Sequence, residues 1–275
     1  KNETEYEKKA ADQKPYELPK TISFTQIAAF SSCPLQYKFA HILKVPVFGR
    51  HSLSFGKSMH NTLQRFMELV LSQQVMPQAS LFDQSKNEPP KLPTPNELQA
   101  IYNQCWIDEW YPNENLKQEY YDKGKASLME YYNILDKNLP TIKFLEKGFT
   151  LKLAGVTLKG RIDRIDEIGE GYEIVDYKTG SPKSQLSWQE KKQLVLYQMA
   201  AEQCFDPPLI IKRLTYHYLE NNSVLSFEAT QKDKEKLTKE IQDTVEQISS
   251  SGFKATPGFH CSYCDFKDIC EFSQS

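Results

Sequence analysis

Residues 149–180 read FTLKLAGVTLKGRIDRIDEIGEGYEIVDYKTG, and this stretch decides the fold. Apolar and polar residues alternate through 149–155 and again through 156–168, the period of a half-buried strand. Gly169, Glu170 and Gly171 supply a turn, and the segment 172–180 continues as a third strand closed by Gly180. A three-stranded β-meander is predicted. Successive side chains of a strand point to opposite faces, so Asp176 and Lys178 share one face while Val175 and Tyr177 share the other. Asp163 stands on the preceding strand, and a short hairpin brings it beside Asp176.

Two carboxylates and an ammonium on one sheet face have a specific chemical use. Paired carboxylates hold a hard divalent cation, Mg or Mn, through oxygen. Such an ion polarises a phosphate and lowers the pKa of a bound water, and a lysine beside it neutralises developing charge. The bland alternative is a solvated face with a surface ion pair. Three neighbours argue against it. Gly180 ends the strand where a site can open. Gln193 and Tyr197 lie four apart on a following helix, polar beside Leu194, Leu196 and Met199, and so face the same cleft. His60 follows Gly56 at the start of a helix and offers a further ligand. Lys183, Lys191 and Lys192 flank the cleft as candidate phosphate contacts.

Working outward, Ser23 and Gln26 form a capping-box pair, and Pro34 opens a helical stretch over 34–42. Apolar residues recur at helical spacing over 57–73, and a Pro-rich loop is predicted over 74–95. Thr94, Pro95 and Glu97 restart helices that fill 96–136, broken near Pro112, with Trp106 and Trp110 as core. After the meander come a helix over 187–205, two strands within 209–220 and 223–230 joined at Asn221 and Asn222, and a charged helix from Thr230 to about residue 250. The class is α/β: helices, then a sheet with a helix inserted, then a helix and a cysteine-rich tail. Residues 1–20 read as a tether of a longer protein.

The net charge of −2 leaves any polyanion to be met by a local patch. No apolar run approaches the ~20 residues of a membrane span, and no secretory signal is visible, which points to the cytoplasm. Gly56, Lys57 and Ser58 imitate the end of a P-loop, but His51 stands where that motif needs glycine, so no ATPase motif is encoded. The six cysteines do not read as a secreted disulfide framework. Cys261 and Cys264 form a CxxC pair with Cys270 close behind, a spacing suited to a soft cluster or to zinc. Cys33 is the favoured fourth ligand, since Pro34 opens a helix whose free N–H groups stabilise thiolate charge. Cys105 and Cys204 read as small buried hydrophobes, and His260 as a bystander.

The strings FGKSMH, GRIDRID, EIVDYKTG and QLVLYQMA together resemble the RecB-like branch of the PD-(D/E)XK nucleases. That family carries a histidine in a G-x-x-x-H helix, an aspartate ending a strand, D-x-K on the next strand and Q-x-x-x-Y on a helix. His60, Asp163, Asp176 with Lys178, and Gln193 with Tyr197 stand at those places in order. The resemblance implies a restriction-endonuclease-like core, a central mixed sheet flanked by helices. It implies one nuclease domain over 21–275, helical over 21–145, sheet core over 146–250 and cluster-binding tail over 251–275. It implies that His60, Asp163, Asp176 and the Tyr177 carbonyl bind metal, that Lys178 is catalytic, and that Gln193 and Tyr197 engage the lysine or DNA. Glu146 resembles a family acidic position.

Iron–sulfur members, fused to helicases or acting in CRISPR adaptation, carry one cysteine before the histidine helix and three after the sheet. Cys33, Cys261, Cys264 and Cys270 match that layout, so the implied cofactor is a 4Fe–4S cluster, with zinc as the alternative. The implied function is metal-dependent cleavage of DNA by an exonuclease domain of a helicase–nuclease in repair or recombination. A stand-alone CRISPR-adaptation-type nuclease and a non-catalytic DNA-binding scaffold are the alternatives, and the intact acidic and lysine set argues against the scaffold.

Overall fold

The computed structural model describes residues 16–75 and 92–273. A short strand, β1 (Thr21–Ser23), leads into α1 (Phe24–Ser32), and the Ser23–Gln26 capping box closes that helix as expected. Pro34 opens α2 (Pro34–Tyr37), which continues as a π-helical turn over Lys38–Ile42 where a plain helix was expected. Helix α3 spans His51–Val75 and starts well before residue 57, because buried Phe55 extends the stripe of Met59, Leu63 and Phe66 through Gly56. Helices α4 (Pro95–Cys105) and α5 (Glu114–Lys137) begin at the Thr94–Glu97 capping box and at Asn113. The expected tether and Pro-rich loop fall largely outside the described residues.

Trp106 and Trp110 correct the sequence reading. Helix α4 ends at Cys105, so the spacing of the two rings no longer places them on one face. Trp106 packs at the edge of the core, whereas Trp110 is 50 % exposed, has φ +70° and lies over Gly49.

The meander folds as read, into β2 (Thr141–Leu153), β3 (Val156–Ile168) and β4 (Gly171–Lys178). Gly155 at φ +77° and Gly169 at φ +48° make the two turns, in the backbone region that glycine enters most cheaply. Helix α6 (Trp188–Cys204), capped by Ser187 and Glu190, then crosses over to β5 (Ile211–Tyr218), and β6 (Ser223–Phe227) returns through Asn222 at φ +52°. Helix α7 (Gln231–Ser250) and a 3₁₀ turn at Phe259–Tyr263 complete the chain. Among the described residues the sheet has six strands in the order β1-β3-β4-β5-β6, with β2 also on β3. It is mixed, with β3 antiparallel and β5 parallel to β4. The class is therefore α/β with a mixed sheet flanked by helices.

Two units emerge, Lys1–Phe48 with Thr150–Gly160 and Gln231–Ser275, and Gly49–Phe149 with Arg161–Thr230. In the first, β1 pairs parallel with Thr157–Lys159 of β3, and an aromatic cluster joins Phe30, Tyr37 and Phe253. In the second, Val175 and Tyr177 of β4 pack into a core with Met59, Leu63 and Phe66 of α3 and with Leu128, Tyr131 and Leu135 of α5. Residues Leu194–Ala201 of α6 are all buried, the pattern of a helix enclosed in the core rather than laid on its surface. Cys105 is buried as expected, but Cys204 is exposed, because α6 ends there.

Behind β4 lies a buried polar knot. Arg164 donates to Asp166 at 3.0 Å, to the Tyr131 hydroxyl at 2.6 Å and to the Tyr177 hydroxyl. His217 sits edge-on to Tyr131 with its Nε2 3.0 Å from Asn222 Oδ1. Burial pushes the His217 pKa down to about 4, the Asn222 bond opposing this and the Arg164 charge adding to it. An unfolded imidazole titrates near 6.5, so between these values the unfolded chain binds more protons. Stability therefore falls as pH drops from about 6.5 to about 4. We expect this residue to cost about 2 kcal/mol between pH 7.5 and pH 5. Urea unfolding of wild type and His217→Gln at both pH values checks it: the advantage of wild type should shrink on acidification, and a constant difference refutes the assignment.

Candidate active site

Strand β4 is central, with β3 and β5 on its two sides, and Asp176–Lys178 form its carboxyl end. The chain crosses from this end through α6 to parallel β5, and open α/β sheets bind ligands beyond the carboxyl ends of their strands. The β3–β4 ladder ends at Arg164↔Val175. One step further on, the Tyr177 N–H donates to Asp163 Oδ2 at 3.1 Å, so a carboxylate takes the place of a ladder carbonyl. The peptide after it is held as well, since the Tyr177 carbonyl lies 2.9 Å from His60 Nε2. His60 Nδ1 is 3.4 Å from Asp163 Oδ2, so both ring nitrogens face oxygen atoms. Helix α3 delivers this histidine. Gly56, one turn earlier, allows the approach, for a Cβ there would meet Thr179 Oγ1 at 3.3 Å.

Asp176 is buried, its side chain 3 % exposed, and Lys178 Nζ lies 2.6 Å from its Oδ2. That oxygen nevertheless accepts no well-aligned hydrogen bond. The two findings agree if the ion pair is close but off the lone-pair direction, which leaves acceptor capacity turned into the site. Lys178 also donates to Gln193 Oε1 at 3.1 Å, and Gln193 Nε2 donates to the Tyr197 hydroxyl at 2.7 Å. The structure thus brings His60, Asp163, Asp176, Tyr177, Lys178, Gln193 and Tyr197 together.

The electrostatics follow from burial. Desolvation pushes the Asp176 carboxyl up to about 6; Lys178 opposes it and neighbouring Asp163 adds to it. Desolvation also raises Asp163, with His60 and the Tyr177 amide opposing. At both carboxylates desolvation outweighs the positive charge beside them. Their hard oxygen atoms, with the Tyr177 carbonyl, suit a cation such as Mg²⁺, which is commonly held by one or two carboxylates and keeps part of its water. Among the described residues no group of three or more His, Cys, Asp or Glu side chains is set to hold a metal ion by itself.

Sequence reasoning gave Glu146 little weight. It sits on β2 at φ +47°, a costly conformation for a residue with a Cβ, and pairs with Arg161 at 3.5 Å. Burial raises its carboxyl, while Arg161 and His60 pull it down, which places it beside the histidine. Sequence reasoning also missed Tyr216. Its ring centroid lies 4.9 Å from Lys178 Nζ, but only the parallel register with β4 puts it there. The flanking lysines are engaged nearby: Lys183 with Glu190 at 3.6 Å, Lys191 over the Phe227 ring at 5.1 Å, and Lys192 with Gln189 at 2.8 Å.

In the other unit, Cys33, Cys261, Cys264 and Cys270 line one recess together with Leu35, Phe39 and Phe266. The Thr256 N–H points at Cys33 Sγ and the Gly258 N–H at Cys261 Sγ, both at 3.4 Å. Burial raises the Cys264 thiol, and Asp265, Cys270 and Cys33 add to this against a backbone N–H from Phe266. His260 Nε2 is buried without a hydrogen-bond partner.

Among the described residues no helix is long and apolar enough to cross a membrane. The crystal structure of a candidate exonuclease from Eubacterium rectale is similar in fold at 9 % identity, with a TM-score of 0.52 over 92 % of this chain and 90 % of that one. The crystal structure of SSO0001 aligns over 99 % of this chain and 97 % of that one at 17 % identity and a TM-score of 0.44. No curated protein matches the chain. The family model of the PD-(D/E)XK nuclease superfamily matches residues 21–271. With that match covering nearly the whole chain, the protein belongs to the PD-(D/E)XK nuclease superfamily.

Proposed function

We propose that the protein hydrolyses phosphodiester bonds of DNA with a divalent cation held by Asp163, Asp176 and the Tyr177 carbonyl, and with His60 beside them. The observation that carries this reading is the gathering of the buried Asp176 carboxylate, the partly buried Asp163 carboxylate and one lysine about the carboxyl end of β4. When bound, Mg²⁺ or Mn²⁺ supplies a Lewis acid for the phosphate and a water of lowered pKa. The chain does the rest. Asp176 and Gln193 fix the Lys178 ammonium from two sides, so that it meets the non-bridging oxygens of a phosphate and offsets their growing charge. Tyr197 holds the Gln193 amide in the orientation that presents its oxygen to the lysine. His60 braces the Asp163 carboxylate against the Tyr177 peptide.

The finer reading is an exonuclease domain that works with a helicase domain or subunit in repair or recombination. It rests on the likeness of the four-cysteine layout to iron–sulfur nucleases of that kind. The four cysteines line one recess, and four thiolates are the usual ligand set of a 4Fe–4S cluster.

End-labelled single- and double-stranded DNA, incubated with Mg²⁺ or Mn²⁺ and resolved on a denaturing gel, tests the activity. A ladder shrinking from one end marks an exonuclease. Lys178→Ala should slow cleavage by about a hundredfold or more. Cleavage undiminished in that variant would remove the lysine from the reaction.

A further inference from the structure

Tyr216 is buried on β5, directly in register with Asp176. Its ring face lies under the Lys178 ammonium at 4.9 Å, and its hydroxyl donates to the Glu190 carbonyl at 2.7 Å. Glu190 stands in the first turn of α6, and Gln193 follows one turn later. One side chain thus touches the supports of both partners in the 3.1 Å bond between Lys178 and Gln193. We propose that Tyr216 is a positioning residue of the nuclease, its ring holding the Lys178 ammonium and its hydroxyl tying the start of α6 so that Gln193 meets that lysine. This rests on the reading of Lys178 as a catalytic group.

The physical need is clear from the lysine itself. An ammonium on four rotatable methylenes samples many positions, and Lys178 is 36 % exposed, so water competes for it. Asp176 and Gln193 hold it by an ion pair and a hydrogen bond, and the Tyr216 ring face adds a third contact through its quadrupole. An aliphatic side chain of similar volume fills the space but offers no such attraction. A misplacement of the ammonium costs rate in the chemical step, while ground-state binding of DNA is made elsewhere.

Full-length Tyr216→Phe and Tyr216→Met are compared with wild type and Lys178→Ala by steady-state cleavage of end-labelled DNA with Mg²⁺, alongside thermal melting. We expect Tyr216→Phe, which keeps the ring, to lower kcat about threefold. Tyr216→Met should lower kcat about thirtyfold, with KM and Tm close to wild type in both. A Met variant equal to the Phe variant would overturn the role of the ring, as would a fall in rate that only tracks a fall in Tm. If Tyr216→Met does not fold, an unchanged kcat in Tyr216→Phe overturns the tie to α6. If Lys178→Ala cuts DNA as fast as wild type, the catalytic reading itself fails, an outcome separate from any comparison among the Tyr216 variants.

Discussion

Asp176→Asn should abolish Mg²⁺-dependent DNA cleavage, by about a thousandfold or more, and at the same time raise the melting temperature of the metal-free protein at pH 7.5. The first effect follows from removing one of the two carboxylates proposed to hold the cation and the ion-pair partner of Lys178. The second follows from linkage. The Asp176 carboxyl is raised to about 6 by burial, so at pH 7.5 the native state carries a charge that its surroundings disfavour. The unfolded carboxyl ionises near 3.9, so the native protein binds more protons over the window from about 4 to about 6. The cost to stability is therefore full above pH 6 and fades as the pH falls toward 4. Asparagine keeps the shape and discards the charge. Differential scanning fluorimetry without divalent ions should show a gain of a few degrees at pH 7.5 that is roughly halved at pH 5. A lower Tm at pH 7.5 would mean that the Lys178 pair outweighs burial, and retained cleavage would end the catalytic reading.

The proposed 4Fe–4S cluster would colour anaerobically purified protein brown, and Cys264→Ser and Cys33→Ser should each lose that visible absorbance and lower the melting temperature on the order of 10 °C. A cluster bridging Cys33 to the tail closes a loop of more than two hundred residues. A crosslink over such a loop restricts the unfolded chain by about 5 kcal/mol in the simple entropic model. The native side points the same way, since the crowded thiols of the recess repel one another when ionised without a cation. Cys204→Ser, an exposed cysteine away from the recess, is the control. A colourless protein with one equivalent of zinc would replace the cluster with a single ion, and unaltered Tm in both recess variants would leave the cysteines without a structural role.

The parts of the molecule legible in the sequence are those fixed by local rules. Ser23 with Gln26 and Thr94 with Glu97 announce helix starts because the cap is a contact within four residues. Asp176 and Lys178 could be set on one face because a strand has a period of two. Asp163 needed only a hairpin. The misses depend on long-range partners. Tyr216 is one aromatic among several in LTYHYLE until parallel pairing aligns it with Asp176. Strand β1 is three residues long and exists by virtue of its pairing with β3. Trp110 was misread because α4 stops at Cys105, and Cys204 because α6 ends at that residue. Arg164 looked like one more polar position of an alternating strand; that its face is enclosed is decided by Tyr177 on β4 and by Tyr131 on α5, a helix well before it in sequence.

Tyr177 gives its backbone to one side of the sheet and its ring to the other. Its amide and carbonyl grip Asp163 and His60, while its phenol is sunk in the Arg164 knot. Asp176 and Lys178 are therefore mounted on a central strand tied to β5 by its ladder and to Asp163 and His60 through the Tyr177 peptide, the kind of segment whose amide protons exchange last. Local breathing at loops and helix ends leaves such a mount intact, so the site should keep its alignment right up to the cooperative melting of the unit that carries it.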